Sequence, residues 1–264
     1  LNKFKKFIFE KGDIIESNCI DKYKPEKVIH LAAMAGVRYS LKNPKLYCRV
    51  NIEGTVNLLE QAKNNNVELF IYASSSSVYG NKSGKFKESD VLKPPESIYA
   101  ATKRSKEMMA DLYHRLYGLK VIGLRFFTVY GPWGRPDMAM YIFADKISRG
   151  EKIPVFNHGN MQRDFTYIDD IINGVIASIK NNYSYEIFNL GNNQSENLMD
   201  MIHILEEELG IKAEVQFMGM QPGDVKKTVA DIEYTKEKLS YQPITSIAEG
   251  IPKFIEWYID YNNR

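Results

Sequence analysis

The sequence predicts an α/β protein, a parallel sheet wound with helices and followed by a smaller mixed unit. Three observations predict it. Apolar runs of strand length recur at Lys27-Val-Ile-His-Leu-Ala-Ala33, Leu69-Phe-Ile-Tyr-Ala73 and Lys120-Val-Ile-Gly-Leu-Arg125, the pattern of strands covered on both faces. Amphipathic stretches of helical length separate them, roughly Pro44 to Asn65 and Tyr99 to Gly118, so crossovers must join parallel neighbours. After Tyr130-Gly-Pro-Trp-Gly134 the rhythm breaks into shorter elements, which marks a second unit.

Each element has its local reason. The first helical stretch carries Val50, Leu58, Leu59 and Ala62 on one stripe and stops at Asn64-Asn65-Asn66, a cluster that competes with helix. The strand Leu69 to Ala73 runs into a hydroxyl cluster, Ser74-Ser-Ser-Ser-Val-Tyr-Gly80. A polar loop, Asn81 to Ser97, leads into a helix through Met109, Leu112 and Leu116 that ends at Gly118. Helices are then expected over about Met138 to Arg149, Ile168 to Lys180, Leu198 to Leu209, Thr235 to Leu239 and Ser246 to Tyr258. Strands are expected at Lys152 to Phe156, Glu186 to Leu190 and near Val215 to Phe217. No repeat or long linker divides the chain, so the two units interleave.

At 264 residues, with 44% apolar and 26% charged residues, the chain is an ordinary globular protein able to bury a sizeable core. A formal charge of +2 gives no bulk attraction for nucleic acid. Cys19 and Cys48 stand far apart in no ligand-like spacing, which suits a reducing compartment and gives no metal site. No apolar run reaches the roughly 20 residues that span a bilayer. A cytoplasmic protein that binds neither membrane nor nucleic acid is expected.

Chemistry concentrates at Ser97-Ile-Tyr-Ala-Ala-Thr-Lys103. Tyr99 and Lys103 are four residues apart, on one helix face, and an ammonium beside a phenol favours the phenolate, so the tyrosine can serve as a base near neutral pH. Together with a serine from the preceding cluster, the pair forms a proton-relay set for oxidising an alcohol.

Further motifs follow in order: His30-Leu-Ala-Ala33, Asn51-x-x-Gly-Thr55, Ser74 to Gly80, Tyr99-x-x-x-Lys103, Leu124-Arg-Phe-Phe127 with Tyr130-Gly-Pro132, Arg163-Asp-Phe-Thr-Tyr-Ile-Asp-Asp170 and Pro222-Gly-Asp-Val225. Over essentially its whole length the chain resembles the extended short-chain dehydrogenase/reductase family of nucleotide-sugar epimerases and dehydratases. Ala35-Gly-Val-Arg-Tyr-Ser40 and Thr128-Val-Tyr-Gly-Pro-Trp-Gly-Arg-Pro-Asp-Met-Ala139 are similar to the UDP-glucuronate 4-epimerase branch. The resemblance implies a Rossmann-type doubly wound parallel sheet with a smaller mixed α/β C-terminal substrate domain. Residues 1–127 plus 157–190 would bind NAD, and 128–156 plus 191–264 the nucleotide sugar. It also implies NAD as cofactor, a UDP-sugar as substrate, a homodimer formed by the Pro44–Asn65 and Tyr99–Gly118 helices, and a role supplying activated uronic acid for surface polysaccharide.

One departure stands out. The Gly-rich turn that cradles the NAD pyrophosphate in this family is missing, and no G-x-x-G-x-x-G occurs. The first residue is Leu1, not Met. On the order of 50 residues, one β-α-β unit, are expected to be missing, and a truncated gene model or fragment is the expected cause.

The resemblance assigns the remaining site. Tyr99 becomes the catalytic base, Lys103 its pKa-lowering, ribose-binding partner, and Ser75 the hydroxyl that bonds the reacting sugar hydroxyl; a strand-end cap is the other reading of Ser75. Asp13 and Ile14 match the adenine-contacting Asp-Ile, and Leu31, Ala32 and Ala33 border the cofactor. Ser76 and Ser77 stand where 4,6-dehydratases carry an acidic pair, and serine cannot do that acid–base work at neutral pH; plain epimerisation is implied. Thr128 and Arg135 would grip the sugar carboxylate through the planar guanidinium, with a salt bridge from Arg135 to Asp137 as the alternative. Arg163 would meet the UDP diphosphate or, instead, pair with Asp164. Phe156 and Asn157 would contact uracil, Gln221 and Asp224 the nucleotide turn, and Arg38 is left undecided. Asp169 or Asp170 is expected to cap its helix, and His30 to be structural. The reaction implied is 4-epimerisation of UDP-glucuronate to UDP-galacturonate through a 4-keto sugar. A neutral UDP-hexose as substrate, or a fragment that binds nucleotide sugar without catalysis, are the other readings.

Overall fold

The structure, a computed structural model, describes residues 4–263; Leu1, part of the expectation of a missing first unit, lies outside them. In chain order the first half holds α1 (Cys19–Tyr23), β1 (Lys27–His30), α2 (Val37–Lys42), α3 (Pro44–Cys48), α4 (Gly54–Asn64), β2 (Leu69–Ser75), α5 (Ile98–Tyr117) and β3 (Val121–Phe126). The second holds β4 (Thr128–Tyr130), α6 (Ala139–Ser148), β5 (Ile153–Val155), β6 (Gln162–Arg163), β7 (Phe165–Tyr167), α7 (Ile168–Lys180) and β8 (Tyr185–Leu190). It closes with β9 (Glu196–Asn197), α8 (Leu198–Leu209), β10 (Val215–Phe217), α9 (Glu233–Leu239) and α10 (Ile247–Asn262).

The four long strands make one parallel sheet in the order β1-β2-β3-β8. β2 is buried at every residue, as its unbroken apolar run predicts for a central strand covered on both faces. Leu58, Leu59 and Ala62 of α4 with Ala110 and Tyr113 of α5 cover one face through Phe70 and Tyr72. Ile171 and Val175 of α7 cover the other through Ile71, Ile122 and Phe188, joined there by Ala230, Ile232, Leu239 and Tyr241 from the C-terminal part. A second core gathers α6, α8 and α10 around the short strands, with Phe143, Ile153, Phe165, Leu205, Ile251 and Phe254 at its centre.

Two local readings are corrected. The expected helix over Pro44 to Asn65 is interrupted: α3 gives way to a π-helical turn over Arg49–Glu53 before α4 begins. The buried Asn51 side chain is the cause that sequence pattern hides, since it binds Met34 N and O and the Thr102 hydroxyl. The bulge that admits it is the kind often found beside functional sites. Neither Asp169 nor Asp170 caps α7: its N-cap is Tyr167, with no side-chain cap. Asp170 is buried and accepts from Thr245 N at 3.0 Å.

Candidate active site

The carboxyl ends of β2 and β3, the first turn of α5 and the loop after β4 enclose a cleft of about 600 Å³, a size suited to a substrate of nucleotide-sugar dimensions. Ser75 is the last residue of β2, directly beside Phe126 of β3. Its hydroxyl accepts from Ser77 N at 3.2 Å, capping the tight turn over Ser76–Tyr79, donates to the Ser77 hydroxyl at 3.2 Å, and faces the Tyr99 phenol, whose ionised form it favours. The cap and the site hydroxyl are therefore one atom. Ser97 caps α5 through Ala100 N at 3.1 Å, which sets Tyr99 in the helix's first turn, where the macrodipole favours an anion.

Lys103 is buried in the cleft lining and donates to Ala73 O at 2.8 Å, with its Nζ 5.7 Å from the centre of the Tyr99 ring. Burial pushes its pKa down to about 8, helped by Arg135 and opposed by Glu107. Other groups act on the tyrosine as well. Burial raises the Tyr99 phenol, and what pulls it back is the Ser75 hydrogen bond and the Arg135 guanidinium. The Lys103 ammonium gives one hydrogen to Ala73 O and stands over the Tyr99 ring.

Most of the expected residues meet here. Leu31, Ala33, Ser75, Ser76, Ser77, Tyr99 and Lys103 line the cleft on the sheet side. Thr128, Arg135, Arg163 and Asp224 line it on the other. Arg135 is bound bidentately to Asp137, Nε to Oδ1 at 2.9 Å and Nη2 to Oδ2, so the alternative reading of this arginine is also realised. Arg163 does not pair with Asp164. Its Nη1 binds the carbonyls of Gln162 and Lys226, while Asp164 is buried and accepts from Ala230 N, Asn192 N and the Thr166 hydroxyl. Burial pushes Asp164 up to about 6.

Asp13, Ile14, Ala32, Phe156, Asn157 and Gln221 are not in the lining. Ile14 packs where a Cβ on Gly54 would meet it at 2.8 Å, fixing the start of α4. Asp13 caps its own turn through Ile15 N. Asn157 lies in a left-handed turn, φ 49°, bonded to Asn160 O. Gln221 offers its carbonyl to Asp224 N. Arg38, undecided from sequence, reaches across to Asp224 at 2.9 Å and lies 4.1 Å over the Phe156 ring. Arg38, Asp224 and Phe156 thus form a polar and aromatic cluster, of which Asp224 lines the cleft, as Arg163 does.

Sequence reading missed two groups. Tyr47 is fully buried, meets Tyr99 edge-on at 6.3 Å, and donates to the Ala35 and Gly36 carbonyls. No spacing signal ties it to a residue 52 positions away. Glu107 forms a buried bidentate pair with Arg125 and accepts from the Ser74 hydroxyl. It lies four residues after Lys103, and that i,i+4 spacing could have flagged it. At the rim, Trp133 is 71% exposed and packs on Trp257 and Tyr261 of α10, both at 5.5 Å.

The profile of the NAD dependent epimerase/dehydratase family matches residues 2–191. The chain belongs to that family. A protein of Methanocaldococcus jannaschii without an assigned function is 48% identical over 97% of this chain and 79% of its own length. UDP-glucuronate 4-epimerase 4 of Arabidopsis thaliana is 45% identical over 89% of this chain and 58% of its own length. The structure of a UDP-glucuronic acid 4-epimerase from Bacillus cereus, in complex with UDP-glucuronic acid and NAD, superposes with a TM-score of 0.94 at 35% identity, covering 98% of this chain and 84% of that one. This epimerase-family chain therefore has the Rossmann-type fold.

The cleft of the epimerase-family chain fits part of NAD. Lys103 spends one hydrogen on Ala73 O and keeps two for a ligand hydroxyl, and the half-exposed Leu31 and Ala33 flank it. That set suits the nicotinamide ribose. Among the described residues no glycine-rich strand-to-helix turn offers amides to a pyrophosphate. No group of described residues could hold a metal ion, and no helix is long and apolar enough to cross a membrane.

Proposed function

We propose that this epimerase-family chain interconverts UDP-glucuronate and UDP-galacturonate through a 4-keto sugar. The observation that carries the reading is the convergence of Ser75, Tyr99 and Arg135 on one cleft in which Ser76 and Ser77 replace acids. The relatives named as UDP-glucuronate 4-epimerases support it.

When bound, NAD supplies hydride acceptance and return at C4. Every other role falls to the chain. Tyr99, oriented by Ser75 and with Arg135 favouring its phenolate against the effect of burial, takes the 4-hydroxyl proton and later gives it back to the same oxygen after the sugar has turned over. Lys103 would hold the cofactor ribose, beside Leu31, Ala32 and Ala33, and Asp13 and Ile14 the adenosine end. Arg135 with Thr128 restrains the carboxylate, which keeps a β-keto acid from aligning for loss of CO₂. Ser76 and Ser77 contact the sugar without supplying an acid. Arg163 holds the diphosphate, Phe156 and Asn157 the uracil, and Gln221 and Asp224 shape the turn beside it; UDP is the pivot about which the sugar turns. In this reading residues 1–127 with 157–190 serve the cofactor and 128–156 with 191–264 the nucleotide sugar. We place the protein in the cytoplasm as a homodimer through α4 and α5, a pairing supported by exposed Met108 and Leu116 and testable by light scattering.

Binding of UDP-glucuronate and UDP-glucose, with epimerisation of each, tests the substrate. Arg135→Ala should weaken UDP-glucuronate about tenfold, the worth of a charge-assisted bond, and UDP-glucose little. Equal losses would remove the uronate assignment and favour a neutral hexose.

A further inference from the structure

Arg135 is held by a carboxylate in its own loop, an odd neighbour for a group meant to receive one. The contact takes the Nε–Nη2 edge of the guanidinium. Because the five N–H groups lie in one plane, the Nη1–Nη2 fork is what remains, and no hydrogen-bond partner meets it among the described residues.

Placement separates the two edges. Arg135 lines the cleft and Asp137 does not. The shared edge lies against the turn before α2: a Cβ on Gly36 would sit 3.8 Å from Arg135 Nη2, 3.8 Å from Asp137 Oδ2 and 3.6 Å from the Tyr47 hydroxyl. That hydroxyl gives its proton to the Ala35 and Gly36 carbonyls, and no hydrogen bond joins it to the arginine among the described residues. Gly36 itself has φ 102°, a conformation open to glycine, so the turn that borders the pair is set by its backbone. An arginine left alone on a loop would lose rotamer freedom on binding; a partner behind it removes part of that loss beforehand.

We propose that Asp137 is a positioning residue: it grips Arg135 from behind by the Nε–Nη2 edge and leaves the Nη1–Nη2 fork turned to the cleft for the carboxylate of a uronic acid. This rests on the uronate reading above. The opposite possibility is that Asp137 competes with the sugar for the same arginine, and the two differ in sign.

The test is equilibrium binding of UDP, UDP-glucose and UDP-glucuronate to the whole chain and to Asp137→Asn and Asp137→Glu. Wild type should prefer UDP-glucuronate over UDP-glucose. In Asp137→Asn that preference should fall about tenfold, as expected for a charge-assisted pair that loses its geometry, with UDP unchanged, and Asp137→Glu should restore part of it. Tighter UDP-glucuronate binding in Asp137→Asn would make Asp137 a competitor and overturn the proposal. An equal loss for all three ligands would reduce it to a loop support and also overturn it. A wild type without preference would instead remove the uronate reading, before any variant is compared.

Discussion

Tyr99 carries the chemistry proposed for this cleft, yet its surroundings work against ionisation. Burial raises the phenol, and the Ser75 hydroxyl and the Arg135 guanidinium oppose it. Tyr99→Phe removes the phenol proposed to move the 4-hydroxyl proton and leaves Arg163 and Phe156, proposed to hold UDP, untouched. Turnover should disappear while UDP affinity, measured by calorimetry, stays within about twofold, under roughly 0.5 kcal/mol, since the change takes away one hydroxyl and keeps the ring in place. Full activity would sink the scheme. Much of this was legible: spacing pairs Tyr99 with Lys103 beside a strand that ends in hydroxyls, and the family resemblance picks Ser75 among them. The role of Arg135 beside the phenol was not, because it reaches Tyr99 from 36 residues downstream through a loop whose path no periodicity encodes. Tyr47 was illegible for the same reason.

At the scale of elements, helix and strand types were readable wherever apolar periodicity was strong. α7 and α8 begin and end where the pattern places them. The π-helical turn between α3 and α4 was hidden, because it depends on what Asn51 meets at Met34 and Thr102. Contacts of that kind also decide how α10 docks. Gly250 faces Tyr130, whose hydroxyl donates to Ser246 O at 3.0 Å in the cap of the helix. A methyl group at Gly250 would run into that hydroxyl. Alanine is the better helix former by up to about 1 kcal/mol, but overpacking at a filled contact costs about 1–3 kcal/mol. Gly250→Ala should therefore lower stability to urea, and an unchanged or raised midpoint would show that Tyr130 can swing aside.

The whole molecule carries a buried basic group with an acid-side consequence. His30 lies between the Lys106 ammonium at 2.9 Å and the Thr55 hydroxyl at 3.1 Å. Burial, Lys106 and Lys103 hold it down to about 2. Below about pH 6.5 the unfolded chain takes up a proton that the folded chain refuses. Stability therefore falls as pH drops through that value, by about 2 kcal/mol near pH 5. Urea midpoints of wild type and His30→Gln over this range give the check: the wild-type curve should be the steeper, and parallel curves would clear His30. The sequence marked this histidine as structural. It did not show that a lysine would be its partner, since Lys106 sits 76 positions away on a helix whose rotation only packing sets.

The rim stack of Trp133, Trp257 and Tyr261 has an optical consequence. The chain has only two tryptophans, and both sit in this contact, their rings 5.5 Å apart. Trp133 also lines the cleft, on the loop that carries Arg135. Emission excited at the red edge of the protein band therefore comes from one spot at the mouth of the site. Any ligand that moves the loop will change its colour or brightness, so the molecule carries its own unlabelled gauge of occupancy.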